Sequence, residues 1–165
     1  MIRTPTVFVL GAGASAEYGL PLGSDLVQLI VDAVGETGVL RKPLSICGVL
    51  ESKLEIFAEK LHRANLVSID AFLEKNSPEF VGIGKLCIGL SILFREQDAK
   101  RKLLESPPSD HWLKYVWNIM RAETNAASFS ENKVIFVTFN YDRLVEHYFD
   151  GVLTHAFHLQ RMRRV

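Results

Sequence analysis

Two short apolar runs near opposite ends of the chain constrain its fold more than any other feature. The first run, Thr6–Leu10, is rich in β-branched and aromatic residues and stops at Gly11. The second, residues 133–138, is similar in composition and is followed by Asn140. Such runs are typical of strands that are covered on both faces in a parallel sheet. The carboxyl ends of parallel strands meet at one edge of the sheet, where α/β proteins bind ligands.

The residues between these runs show helical spacing of apolar side chains. Helices are predicted over residues 25–34 with Ser24 as the N-cap, and over 50–61, 68–74, 80–94 and 112–119, and a further helix over 143–149. On the helix at 112–119, the apolar face is predicted to consist of Trp112, Tyr115, Val116 and Ile119, and residues 35–43 are predicted to form a loop. The order predicts an α/β fold with a long helical insertion between the first strand and the Asn-Tyr-Asp strand.

Length and composition predict a single domain over residues 1–165. The 19 basic and 19 acidic residues cancel, which gives no support for binding to nucleic acid or to a membrane surface. Cys47 and Cys87 lie too far apart for a zinc module, and no metal is expected. No secretory signal is present and the longest apolar stretch includes Lys85, so we expect a cytoplasmic protein without a disulfide.

The first predicted strand leads directly into what we call the glycine turn, which consists of Gly11, Ala12, Gly13, Ala14 and Ser15. Glycines in such a turn let the backbone approach a pyrophosphate closely, and the alternative is a tight turn without a ligand. A dehydrogenase would also need an acidic residue at the end of a second strand, but Asp32, which has the right spacing, lies in a predicted helix. The following loop, with Gly19, Leu20 and Pro21, is suited to folding over a bound nucleotide.

Polar side chains also follow the second predicted strand. Thr138, Asn140 and Asp142 alternate along the chain, so an extended backbone would point them to one side. The Asn140 amide can bond to ribose hydroxyls, and the Asp142 carboxylate can accept from an amide such as that of nicotinamide. The alternative is that Asn140 and Asp142 form a turn or cap the next helix.

Together these segments resemble the sirtuin-like NAD-binding domain, in particular its bacterial branch without a zinc module. The resemblance is carried by Gly-Ala-Gly-Ala-Ser at residues 11–15, by Gly-Leu-Pro at 19–21 and by Thr-x-Asn-Tyr-Asp at 138–142. Leu144 and Glu146 continue the second motif, and residues 68–74 look like a middle segment of that branch. The motifs occur in the order that the family has.

The resemblance implies a Rossmann-like parallel sheet flanked by helices, NAD binding and cleavage of the nicotinamide–ribose bond. It implies that the glycine turn holds the pyrophosphate, with Ser15 bonding to phosphate or ribose. Asn140 would position the ribose or a water, and Asp142 the nicotinamide carboxamide. The implied protein is an NAD hydrolase of bacterial antiviral defence, with a fused or associated sensor and a possible homo-oligomeric state. Two alternatives are an inactive module that binds NAD or ADP-ribose, and an NAD-dependent protein deacylase.

The family also uses a histidine, usually followed by glycine, downstream of the Asn-Tyr-Asp motif, where it acts as a general base. His147, His155 and His158 follow that motif here, but none of them precedes a glycine. His155 is the predicted substitute, whereas His62 and His111 are predicted to be solvated helix residues. Because the expected histidine and last strands are missing, we expect the domain to be incomplete at its C-terminus.

Overall fold

The computed structural model describes residues 1–66, 68–105 and 111–158 as a mixed α/β protein. Strands β1 (Thr6–Leu10) and β2 (Val134–Thr138) pair in parallel, with Leu10 opposite Thr138. Both predicted strands are confirmed, and β2 begins one residue later than predicted. Within the described residues these two strands are the whole sheet. The α/β prediction is therefore confirmed, while a Rossmann-like sheet stays a prediction.

Helices make up most of the described chain, and all but the last of them lie between the two strands. Their bounds are α1 Gly13–Ala16, α2 Gly23–Val34, α3 Arg41–Ile46, α4 Glu51–Arg63, α5 Ile69–Leu73, α6 Pro78–Glu105, α7 Trp112–Arg121 and α8 Leu144–Ala156, with a 3-10 turn at Phe129–Glu131. The predicted helical insertion is therefore present. No helix in the described ranges combines the length and the apolar character that crossing a bilayer requires.

Two local predictions are wrong, each for a physical reason. Ser24 lies inside α2 rather than at its N-cap, because the Asp25 side chain accepts from the N–H of Leu22 (3.3 Å) and starts the helix earlier. The loop predicted at residues 35–43 ends at Leu40, because α3 follows it. Proline does not prevent α3, since Pro43 occupies its first turn, where a missing N–H is tolerated.

The predicted apolar face of α7 is also wrong. The buried side chains are Leu113, Val116, Trp117 and Met120, whereas Tyr115 is 69% exposed. Apolar residues lie on most sides of this helix, so two faces satisfy the same spacing and share Val116. Spacing alone therefore cannot choose between them, and tertiary contacts decide.

The chain divides into two compact units. The helical unit is Gly19–Arg95, and the sheet unit consists of Met1–Tyr18 with the described part of Glu96–Val165. The core of the helical unit is built around Phe57 on α4, which contacts the rings of Phe72 (5.8 Å) and Phe80 (6.1 Å). Ser68 caps α5 by accepting from the N–H of Ala71 (3.3 Å), as its position before residues 69–74 predicts.

In the sheet unit the two faces of the sheet differ. On one face, Phe8 stacks on Phe136 with ring centroids 5.2 Å apart, and Phe136 contacts Phe149 of α8 at the same separation. On the other face Val9 is 66% exposed. Val7, Ile135 and Val137 on the same face are also exposed, but less than Val9. The prediction that both faces are covered is therefore wrong for the chain as described, because no helix within it packs on the valine face.

Candidate functional site

The two motifs meet because their strands are parallel and in register. Leu10 and Thr138 are the last residues of the strands and lie opposite each other. The ladder continues one step further, since the N–H of Phe139 donates to the carbonyl of Leu10 (3.0 Å). The segments that follow the two strands both leave the sheet at its carboxyl edge. The glycine turn and Asn140 consequently start from the same place, as the sequence predicts.

The glycine turn is a tight backbone turn that runs into α1. The N–H groups of Ala14 and Ser15 donate to the carbonyls of Gly11 (2.9 Å) and Ala12 (3.1 Å). Trp112 of α7 fastens the turn, because its indole Nε1–H donates to the carbonyl of Ala14 (2.9 Å). The turn is therefore held by the sheet unit itself.

Neither glycine of the turn is required by the backbone conformation of this chain. Gly11 and Gly13 are absent from the positive-φ residues, which include Gly19 and Gly48. A Cβ placed on either residue would meet no atom within 4 Å, and both residues are exposed. The space over the turn is thus open to a ligand, and a pyrophosphate fits the residues that are present.

One hydrogen bond joins the two motifs across 125 residues of sequence. The Asn140 side chain donates from Nδ2 to Ser15 Oγ (3.1 Å). Ser15 is buried, with 3% exposure, and Asn140 is half-buried. The bond fixes the orientation of the Asn140 amide and leaves its Oδ1 as an acceptor, while Ser15 keeps its hydroxyl hydrogen as a donor.

The other two polar side chains of the second motif make local bonds. Thr138 Oγ1 accepts from the N–H of Asn140 (3.0 Å), and Asp142 Oδ1 accepts from the N–H of Leu144 (3.0 Å). The strand ends at Thr138, so the strict alternation expected of an extended segment stops there. Asp142 thus forms a turn at the start of α8, which was the alternative for this residue, and its ligand-binding role stays a prediction.

Buried Glu96 holds the segment that follows Asp142. Its Oε1 accepts from the N–H of Arg143 (2.7 Å), and its Oε2 lies 3.4 Å from Arg143 Nη2. His147 Nε2 lies 3.8 Å from the same carboxylate. Burial, followed by the charge of Lys100, lowers the pKa of His147. His147 is half-buried beside this carboxylate, so we assign it a packing role.

His155, the predicted general base, is not brought to Asn140. It lies in the last turn of α8 and is exposed. Since α8 begins at Leu144, His155 lies about 16 Å further along the helix axis. It lines a cavity of about 520 Å³ together with His158, Trp117 and residues around them. The helix runs on past its predicted end at residue 149, which carries His155 away from the strand end.

His111 is a buried structural residue, so its prediction as a solvated helix residue is wrong. It is 2% exposed and caps α7, because its Nδ1 accepts from the N–H of Lys114 (3.2 Å). The Tyr18 hydroxyl donates to the same nitrogen (3.1 Å), and Tyr148 contacts the ring edge-on. Burial lowers the pKa of His111, which keeps the ring neutral. Its position just before a helical run was the available signal, since a capping residue is expected there.

The predicted loop over the nucleotide belongs to the helical unit. Gly19 has a φ of 93°, a conformation that only glycine adopts without strain, and Leu20 is 5% exposed. Leu20 is therefore a core residue. Pro21, the next residue, is half-buried. The role of these three residues over a nucleotide stays a prediction.

Comparisons of the chain with known protein families, with curated proteins and with solved structures find no match. The sirtuin-like resemblance thus depends on the motifs and on the site that they form. Within residues 1–66, 68–105 and 111–158, no three His, Cys, Asp or Glu side chains are grouped as metal ligands would be.

Proposed function

We propose that this chain is a sirtuin-like NAD-binding domain, with a Rossmann-like sheet, that hydrolyses NAD to nicotinamide and ADP-ribose. The observation that carries the proposal is the hydrogen bond from Asn140 to Ser15, which unites the two motifs at one sheet edge. Open space over Gly11 and Gly13 supports a pyrophosphate against the glycine turn. In this role the protein is an effector of bacterial antiviral defence, associated with a sensor.

The chemistry of the bond suits the side chains at this site. Nicotinamide carries a positive charge while it is attached to the ribose and leaves neutral with the bonding electron pair, so it needs no general acid. Water adds to the ribose carbon and releases one proton to solvent. Positive charge develops on the ribose as the bond breaks, and oxygen atoms nearby stabilise that charge. In this proposal the Oδ1 of Asn140 accepts from a ribose hydroxyl or from the water, while its Nδ2 donates to Ser15.

A second candidate function is a binding module that holds NAD or ADP-ribose without turnover. The position of His155, about 16 Å along α8 from the strand end, favours it, because that residue is the predicted base. The two functions share the glycine turn and differ only in whether nicotinamide is released.

The first prediction concerns Gly13→Ala. A methyl group here meets no protein atom, and alanine favours a helix by about 0.5–1 kcal/mol over glycine, so the free energy of unfolding should stay the same or rise. The methyl occupies the space that a pyrophosphate needs, so NAD affinity should fall at least tenfold. Calorimetric titration with NAD and chromatography of released nicotinamide measure both effects.

Gly89→Ala is the matched control, since Gly89 is also an exposed helical glycine with no atom within 4 Å of an added Cβ. It should bind and cleave NAD as the wild type does. Asn140→Asp, which keeps an acceptor beside Ser15, should lower nicotinamide release more than binding. NAD binding without release in the wild type would select the binding module, and absence of binding would reject both functions.

A further inference from the structure

We propose that the helical unit carries a second small-molecule site, a cavity between α2 and α6 that takes a nucleoside monophosphate. The cavity has a volume of about 560 Å³, within the range of ligand sites in proteins. All the residues that line it belong to Gly19–Arg95. We call it the α2–α6 cavity. It is independent of the glycine turn, and nothing in the proposed NAD chemistry uses it.

The α6 wall supplies an unsatisfied polar group. Ser91, Phe94 and Arg95 line the cavity and are spaced so that they share one face of the helix. Ser91 is 3% exposed, and its Oγ has no hydrogen-bond partner among the described residues. A buried hydroxyl without a partner is rare and costs free energy. A ligand that bonds to it recovers that free energy.

Next to Ser91 are an unpaired cation and an unpaired ring. Arg95 is exposed and forms no ion pair with any described residue, whereas Arg41 of the same unit bonds to both Glu51 and Glu55. Phe94 is 51% exposed, and its ring contacts no other ring in the described ranges. A guanidinium suits a phosphate, and an exposed phenyl ring suits stacking by a base.

The α2 wall supplies acceptors that are already oriented. Asp25, Leu29 and Asp32 lie on one face of α2 at the cavity. Gln28 Nε2 donates to Asp32 Oδ1 (2.7 Å), which leaves the other oxygen of Asp32 as an acceptor. Both carboxylates have partners within the chain, since Asp25 accepts from the Leu22 N–H. Their remaining lone pairs can accept from hydroxyl donors, such as those of a ribose.

The third wall of the α2–α6 cavity is the loop at residues 37–40, and hydrogen bonds hold it in place before any ligand binds. The N–H of Leu40 donates to the Ala33 carbonyl (2.9 Å), and the N–H of Gly38 donates to Gly35 (2.8 Å). Gly38 lies so close to the Ala33 carbonyl that a Cβ on Gly38 would collide with it. A wall fixed in this way avoids the ordering cost of binding. In the proposed site Phe94 stacks on the base, the carboxylates of α2 accept from the ribose hydroxyls, and Arg95 binds the phosphate. A nucleoside monophosphate has all three of these groups.

The test is calorimetric titration of the whole 165-residue chain with AMP, the probe that carries all three features. We expect AMP to bind, and adenosine and ribose 5-phosphate each to bind at least tenfold more weakly. Arg95→Gln and Phe94→Ala should weaken AMP at least tenfold without loss of helical circular dichroism, since both side chains are exposed. Ser91→Ala should raise the melting temperature of the free protein and still weaken AMP, a combination that a purely structural serine does not produce.

Gly13→Ala separates this site from the glycine turn. The α2–α6 cavity predicts that this variant binds AMP as the wild type does. AMP binding that is lost in Gly13→Ala but unchanged in Arg95→Gln would place AMP at the turn and overturn the proposal. Absence of AMP binding at millimolar concentration would overturn it as well, while NAD binding in the same protein would leave the proposed function standing.

Discussion

Asn140 and Ser15 are the residues on which the proposed function depends, and their bond also has a structural consequence. Ser15 is buried, so its hydroxyl needs a partner, and the Asn140 amide provides one at 3.1 Å. The same bond holds the amide in one orientation at the carboxyl edge of the sheet. A ligand at this edge would meet an oriented acceptor rather than a mobile side chain, which lowers the cost of binding.

His111 makes stability depend on pH, and this is a prediction at the residue scale. Burial lowers the pKa of His111 in the folded protein below its ordinary value of 6.5. As pH falls through that value, the unfolded chain takes up a proton before the folded chain does, so the free energy of unfolding decreases. Protonation at Nδ1 would also remove the acceptor that caps α7. The full contribution of a neutral His111 is therefore present above about pH 6.5 and is lost below it.

His111→Asn tests this, because asparagine can cap a helix but does not titrate in this range. Between pH 7.5 and pH 5.5 the melting temperature of the variant should fall less than that of the wild type. His62→Asn, which replaces an exposed histidine on α4, should follow the wild type. If the melting temperatures of His111→Asn and the wild type fell equally over this pH range, His111 would not be the source of the pH dependence.

At the scale of elements, the sheet has one packed face and one open face. Phe8 is half-buried against Phe136, while its neighbour Val9 is 66% exposed. Phe8→Ala should lower the free energy of unfolding by about 2–4 kcal/mol, somewhat below the cost in a fully buried core. Val9→Thr keeps a β-branched side chain on the exposed face and should change it by less than about 0.5 kcal/mol. Urea denaturation of both variants measures the contrast.

A large effect of Val9→Thr would mean that something covers the valine face in solution. Val7, Val9, Ile135 and Val137 lie in two adjacent strands, with Val7 opposite Ile135 and Val9 opposite Val137. They form one contiguous apolar surface among the described residues. Their composition is that of buried strands, which is why the sequence predicts cover on both faces.

At the scale of the whole molecule, the helical unit has a hydrophobic core of its own. Apolar side chains at helical spacing build this core. Phe57 is fully buried, and the next residue toward the N-terminus, Ile56, is 44% exposed. Phe57→Ala should lower the free energy of unfolding by about 3–5 kcal/mol, because it leaves a cavity between Phe72 and Phe80.

Ile56→Ala is the matched control on the same helix and should cost less than about 1 kcal/mol, since its side chain is largely in water already. Chemical denaturation followed by circular dichroism compares the two variants directly. If both variants lost equal stability, the orientation of α4 would differ from the one described. The sequence predicts Leu50, Leu54, Phe57 and Leu61 as the apolar series of this helix. Leu54, Phe57 and Leu61 are buried as predicted, whereas Leu50 precedes the helix and is 66% exposed.

The sequence by itself determined the two strands, most of the helices and the residues of the two motifs. These features depend on local patterns: β-branched runs for the strands, spacing of three to four residues for α4, and a serine before α5. The parallel pairing of distant strands also followed from the sequence, since strands joined by long helical segments favour it.

Only the tertiary structure decided which polar groups meet and which faces are buried. The Ser15–Asn140 bond, the burial of His111 and the face that α7 turns inward depend on contacts between residues far apart in sequence. The spacing within α7 was compatible with two faces, and a lone histidine before a helix gave no sign of the tyrosines that surround it. The length of α8 likewise decided that His155 lies away from Asn140, because a helix continues as long as its packing supports it.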